Sequence, residues 1–229
     1  MSTYKYLLFD LDDTLLDFKR SERWALEQLF QQNGLEFNPQ TLSTYMSINH
    51  DLWSRYEKGE ISSQDITDTR FTSLFEQYQI KKDGLKAEQD FRNYLAEANF
   101  LMPQAKEVLE NLANDYQLFA LTNGIAQTQA NRLKAADIDK YFQEVYVSGA
   151  IGSRKPEAAF FDFVFEDAKE LKADQSLMIG DNLATDIIGA ANYGLDTCWM
   201  NPYAKAISGN VQPTYQIQQL DQLYPIIGR

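Results

Sequence analysis

Two residue types that carry much of enzyme chemistry are almost missing from this chain: its 229 residues include one histidine, His50, and one cysteine, Cys198. A zinc site built from His and Cys is thereby excluded, and a Ser-His-Asp or Cys-His arrangement would have to use His50. His50 falls within a helical pattern beside Asn49, far in sequence from any nucleophile elbow, and reads as an ordinary surface residue. A single cysteine allows no internal disulfide. Positive charge is also short, with 21 Lys and Arg against 33 Asp and Glu for a formal net charge of -12. That balance argues against a nucleic-acid polymer or an anionic membrane as partner. No apolar stretch approaches the ~20 residues of a membrane-spanning helix. Asp10, Asp12 and Asp13 interrupt the first apolar run too early for a signal peptide. The expectation is a soluble cytoplasmic protein whose chemistry runs on carboxylates, hydroxyls, a lysine and a metal.

What is present begins with that first run. Tyr4 to Phe9 reads as a buried strand and stops on Asp10-Leu11-Asp12-Asp13-Thr14. Two bare carboxylates ~4 Å apart repel by about 1 kcal/mol in water and about 4 kcal/mol at an effective dielectric of 20, so the cluster calls for a cation or a proton. Folding alone gives no reason to place it there, whereas phosphoryl transfer does.

A length of 229 residues with 44% hydrophobic content suffices for a domain with a smaller one inserted. From Phe18 to Asn99 apolar residues recur at helical spacing and no strong strand pattern appears. One helix carries Ala25, Leu26, Leu29 and Phe30 and stops at Asn33-Gly34. A second starts at Asn38-Pro39 and ends at Lys58-Gly59, a third follows Ser62-Ser63, and a fourth covers about Leu85 to Ala98. After Pro103, strands and helices alternate. Tyr116 to Thr122, Glu144 to Ser148, Ser176 to Asp181 and Thr197 to Asn201 are short apolar runs separated by helices, the pattern of βαβ units. The predicted fold is α/β: a doubly wound, Rossmann-like parallel sheet core over residues 1–17 and 100–229, with an all-helical cap inserted at 18–99.

Ligands of such sheets sit beyond the carboxyl ends of the strands. Asp10, Thr122, Lys155 and Asp181 all fall there or on the next loop. Thr122-Asn123-Gly124, taken alone, reads first as a capped strand-to-helix turn, although a hydroxyl and free amides at a helix start also form an anion site. Arg154-Lys155-Pro156 fits a solvated loop in which Pro156 opens a helix. Gly180-Asp181 through Asp186 is stronger, because capping explains one of its aspartates but not both.

Order and context together give Asp-x-Asp-x-Thr, Thr-Asn-Gly, Lys-Pro and Gly-Asp-x4-Asp, which resembles the four motifs of the haloacid dehalogenase-like superfamily over essentially the whole chain. The resemblance implies that Asp10 is the nucleophile and Asp12 the general acid/base. It implies that Thr122, Asn123 and Lys155 bind substrate phosphate, and that magnesium is held by Asp10, the Asp12 carbonyl and Asp181, with Asp186 orienting. An aspartate two residues after the nucleophile, together with Asp181, favours a phosphatase over a dehalogenase, whose members lack that acid and need no magnesium. A phosphomutase uses the same motifs. A phospho-receiver module is about half as long and has its lysine after the last hydroxyl motif.

In that family the cap selects the substrate. Leu42, Tyr45, Met46, Asn49, Leu52, Trp53 and Tyr56 share one face of the second helix, and Asn49 is its polar exception. An amide there suits a nucleobase edge, and Trp53 or Tyr56 suits stacking, while the plainer alternative makes the aromatics cap core. Arg70 lies on the apolar side of the third helix, to snorkel or to pair with a phosphate or a cap carboxylate. Asn49-x-x-Leu52-Trp53-x-x-Tyr56, Gly59-x-Ile61-Ser62, Arg70-Phe71 and Cys198-Trp199-Met200-Asn201 resemble the pyrimidine 5′-nucleotidases. That implies pyrimidine nucleoside monophosphates as substrates, with Asn49 among the binding residues.

Overall fold

The structure, a computed structural model, describes residues 4–207 and 212–228. It divides into two compact units, Met1–Phe18 with Phe100–Arg229, and Lys19–Asn99.

The first unit is built on six parallel strands: β1 (Tyr6–Phe9), β2 (Gln117–Thr122), β3 (Phe142–Val147), β4 (Ser176–Gly180), β5 (Asp196–Met200) and β6 (Tyr215–Ile217). Their order is β3-β2-β1-β4-β5-β6, the doubly wound arrangement expected of the sequence. The chain departs from β1 in opposite directions, so the switch point lies at β1, where Phe9 pairs with Ala120 on one side and with Ile179 on the other.

Alternation along the strands builds a core on each face. Leu7 and Phe9 join Leu118, Ala120, Leu177 and Ile179 on one face. They meet Val108, Leu109 and Leu112 of α5 (Ala105–Leu112), Leu133 of α6 (Ala126–Ala135) and Leu223 and Ile227 of α10 (Leu223–Ile227). Tyr6, Leu8, Phe119, Leu121 and Met178 face the other way. They meet Phe160, Phe161 and Val164 of α8 (Ala158–Asp167) and Ala190 of α9 (Gly189–Tyr193). A short α7 (Ser148–Ile151) follows β3. Helix α8 begins two residues after Pro156, with Glu157 as its N-cap and Lys155-Pro156 cis in the preceding turn, so this proline sits outside the helix that it was expected to open. The three-residue β6 has one fully buried side chain, too short a signal for the sequence reading, which had no strand there.

The second unit holds four helices, α1 (Phe18–Asn33, whose first residue belongs to the other unit), α2 (Pro39–Glu57), α3 (Ser63–Gln77) and α4 (Gly84–Glu97). The starts of α2 and α3 follow the caps read from sequence, whereas α4 is capped by Asp83, which the sequence reading did not name. Asn38 accepts from the amides of Gln40 and Thr41 with Pro39 in the first turn, and Ser62 and Asp65 form a reciprocal box. Phe30, Tyr45, Phe71, Phe75 and Phe91 fill the centre, Tyr45 stacking on Phe71 at 5.4 Å. Trp53 packs on a cluster of Leu52, Tyr56 and Ile66, with its ring edge-on to Tyr56 at 5.7 Å.

A polar chain runs through this apolar interior. Arg70 makes a two-point ion pair with Glu88 at 2.6 and 2.7 Å, and its guanidinium lies 4.7 Å from the Phe91 ring centre. Arg70 also donates to the Asn49 carbonyl oxygen at 3.3 Å, and the Asn49 amide and the Tyr45 hydroxyl both donate to Glu22 Oε1 at 3.2 Å. Of the alternatives open to Arg70, a cap carboxylate is the partner found. Removing one member of a buried ion pair strands the other charge. Arg70→Met is therefore expected to cost about 3–5 kcal/mol in urea unfolding followed by tryptophan fluorescence. The double variant Arg70→Met, Glu88→Leu should lose less than Arg70→Met alone. Among the described residues, no helix is long and apolar enough to cross a membrane.

Candidate active site

Asp10 follows the last residue of β1 and is tied to the neighbouring strand by its own N–H, which donates to the Ile179 carbonyl at 2.8 Å. The chain then reverses tightly. The amides of Leu15 and Leu16 donate to the Leu11 carbonyl at 2.9 and 2.8 Å, and the Asp13 amide donates to the Leu16 carbonyl at 2.7 Å. Asp13 sits at a φ of 58°, a left-handed conformation that a short Asp tolerates better than a branched residue.

The Asp10 carboxylate is buried, with Oδ1 accepting from Lys155 Nζ at 2.8 Å and Oδ2 from the Thr14 hydroxyl at 3.2 Å. Lys155 is 1% exposed. Its ammonium has three protons and three acceptors: Asp10 Oδ1 at 2.8 Å, Asp186 Oδ1 at 2.8 Å and the Leu121 carbonyl at 2.6 Å. Burial pushes the Asp10 carboxyl well above the ordinary carboxylate range; Lys155 opposes this, and like charge on Asp186 and Asp181 adds to it. Burial alone would lower Lys155, but Asp10 and Asp186 outweigh it and hold the ammonium above its ordinary value.

Carboxylate oxygens of Asp10, Asp181 and Asp186 lie within 4.8 Å of one another. Three carboxylates therefore converge here, two of them on the Lys155 ammonium. An all-oxygen donor set of this kind fits a hard divalent cation such as magnesium. The loop after β4 holds the second and third of these groups. Asn182 caps a π-helical turn, Leu183–Ile188, by accepting from the amides of Ala184 and Thr185 at 2.9 and 3.3 Å. Asp186 closes the loop by accepting the Asn182 N–H on Oδ2 at 3.1 Å. The Trp199 indole N–H donates to the Asp181 carbonyl at 2.8 Å, tying the same loop to β5. Gly180 permits the approach: a Cβ there would stand 2.3 Å from Asp186 Oδ2.

Thr122 ends β2, and its hydroxyl oxygen accepts from the Gly124 amide at 3.0 Å and from Gln129 Nε2 at 3.1 Å. Asn123, expected to contact substrate, has its carboxamide on the Lys155 peptide. Its amide donates to the Lys155 carbonyl at 2.8 Å and its oxygen accepts the Lys155 N–H at 3.0 Å. Asp12 accepts from Gln129 Nε2 on Oδ2 at 2.7 Å and pairs through Oδ1 with Arg132 Nη1. The first unit thus brings together Asp10, Lys155, Asp181 and Asp186, and separately links Asp12 to Thr122 through Gln129. Asn49, expected as a substrate residue, lies in the helical unit with both ends of its amide engaged by Glu22 and Arg70.

Gln129 and Arg132 were missed by the sequence reading. The available signal was two polar residues three apart on the helix after Thr122-Asn123-Gly124, on a buried face that also carries Thr128 and Leu133.

The fold and this centre define an α/β protein with an acidic site, countered by one lysine, at the switch point of a doubly wound sheet. The chain belongs to the haloacid dehalogenase-like hydrolases, whose family model matches residues 7–200. It is 37% identical to YfnB of Bacillus subtilis over 99% of this chain and 97% of that one. The crystal structure of YfnB bound to magnesium superposes with a TM-score of 0.90 at 37% identity, covering 99% of each chain. Similarity is also found to the pyrimidine 5′-nucleotidase PynA of Streptococcus pneumoniae, 37% identical over 96% of this chain and 93% of that one. The pyrimidine 5′-nucleotidase YjjG of Escherichia coli is 28% identical, with 98% of each chain covered.

A Cβ at position 180 would force Asp186 or the strand to move, and overpacking of this kind costs about 1–3 kcal/mol. Gly180→Ala is expected to lose that amount in equilibrium unfolding; an unchanged midpoint would mean that the loop yields freely.

Proposed function

We propose that the chain is a magnesium-dependent phosphomonoester hydrolase that works through an aspartyl-phosphate on Asp10, with pyrimidine nucleoside 5′-monophosphates as its substrate class. The observation that carries the reaction is the Asp10 carboxylate at the end of the central strand, with Lys155 Nζ at 2.8 Å and the oxygens of Asp181 and Asp186 within 4.8 Å. The substrate class is supported by the likeness to PynA and YjjG.

In the first half-reaction an Asp10 oxygen forms a bond to phosphorus while the bond to the ester oxygen breaks, and Asp12 gives that oxygen its proton. In the second, water attacks phosphorus, Asp12 takes the water proton, and the bond to Asp10 breaks to release orthophosphate. Lys155 offsets the charge of the Asp10 and phosphate pair and keeps Asp10 oriented. Thr122 donates its hydroxyl proton to a phosphate oxygen. Asn123 acts through the Lys155 backbone and fixes the lysine loop. Asp10, the Asp12 carbonyl and Asp181 would hold the magnesium ion, with Asp186 orienting the set; bound there, the ion supplies charge neutralisation that lets two anions meet. Asn49 joins Glu22 to Arg70 and so fixes the interior of the helical unit.

Three measurements test this. Asp10→Asn should lower phosphate release by about 10³-fold or more while circular dichroism stays unchanged; substantial residual turnover would remove the mechanism. Asp181→Asn should weaken magnesium binding at least about tenfold by isothermal titration calorimetry, and chelation should silence the wild type until magnesium is restored. In a panel of monoesters, kcat/KM for uridine and thymidine monophosphates should exceed that for purine nucleotides, sugar phosphates and phosphoglycolate. A flat panel would overturn the substrate class and leave the chemistry standing.

A further inference from the structure

We propose that Gln129 and Arg132 of α6 are positioning residues that set the Asp12 carboxylate and the Thr122 hydroxyl through one shared amide group. This inference rests on the phosphatase reading above and extends it to two residues outside the four motifs.

Hydrogen-bond polarity fixes the arrangement. Arg132 is donor only, and its Nη1 donates to Gln129 Oε1 at 3.1 Å. That contact decides which way the Gln129 amide faces, because a flipped amide would turn N–H groups toward a guanidinium. The Gln129 nitrogen then directs one proton to Asp12 Oδ2 at 2.7 Å and the other to Thr122 Oγ1 at 3.1 Å. With the Gly124 amide also donating at 3.0 Å, both lone pairs of the Thr122 hydroxyl oxygen are occupied. Its proton is left to donate, which is the polarity a phosphate oxygen requires. Asp12 is held at both ends, by Gln129 on Oδ2 and by Arg132 on Oδ1.

Two further observations point the same way. A Cβ on Gly124 would stand 2.5 Å from Gln129 Nε2, so the glycine of Thr-Asn-Gly makes room for this amide. Arg132 is 1% exposed, and among the described residues its Nε and Nη2 have no hydrogen-bond partner. A buried guanidinium with orphaned donors is a poor device for stability alone. Its Nη1 contacts to Asp12 and Gln129 give it another use.

The test exploits the leaving group. kcat/KM reports the steps through transfer to Asp10, where an alkyl ester needs a placed acid and a p-nitrophenyl ester needs little help. Gln129→Met and Arg132→Met are each expected to lower kcat/KM at least about tenfold more on the best alkyl monoester of the wild type than on p-nitrophenyl phosphate. Arg132→Lys should recover part of that difference, since it keeps a donor-only cation. If Gln129→Met does not fold, Gln129→Glu keeps the volume and removes both donated protons, with the same expectation. Equal losses on both substrates, or no loss, would overturn the positioning role while an active wild type leaves the phosphatase reading intact. A wild type that is inert on every monoester would overturn both.

Discussion

The ammonium of Lys155 is the contact on which the catalytic unit depends. It pairs with two of the three clustered acidic side chains, it is out of water, and each of its three protons has a fixed acceptor. Two of those acceptors are carboxylates from loops after different strands, and the third is the Leu121 carbonyl of β2. A single charged atom therefore draws together the ends of β2, β1 and β4, three adjacent strands of the sheet. With three protons and three acceptors, Lys155 can donate to a further oxygen only by giving up one of these contacts.

The same centre keeps its precision by placing different duties on different backbones. Asp10 is anchored through an inter-strand hydrogen bond, whereas Asp12 lies on the tight reversal two residues on and takes its orientation from α6. Asn123 joins the β2 loop to the lysine loop by two bonds to one peptide. The helical unit uses a comparable economy in its own interior, where Arg70, Glu88, Asn49 and Glu22 satisfy one another amid aromatic rings. Buried polar chains of this type favour a unique packing because a misregistered helix would strand a charge.

The fold was largely legible because the signals that set it are local. Short apolar runs delivering Asp10, Thr122 and Asp181 needed only strand length and turn position, and the Asn38 and Ser62 caps announced their helices. What escaped was chemistry that depends on tertiary neighbours. Gln129 and Arg132 look in sequence like any polar helix residues, and nothing nearby says that the helix turns them toward Asp12. Asn123 and Asn49 carry the right functional group for a substrate contact, but carboxamides bond equally well to peptides and side chains, and here they do. Pro156 fits a helix start by its φ, yet the helix begins at Ala158.

The clasp on Asn123 has a chemical consequence as well as a geometric one. Asparagine followed by glycine is prone to spontaneous cyclisation, in which the glycine nitrogen attacks the side-chain carbonyl carbon and ammonia is lost. Here the carboxamide is held at both ends by the Lys155 peptide, and the Gly124 nitrogen is directed to the Thr122 oxygen. The fold thereby protects a dipeptide that would age quickly in an unfolded chain, and the lifetime of the folded enzyme is guarded by the same bonds that place its lysine.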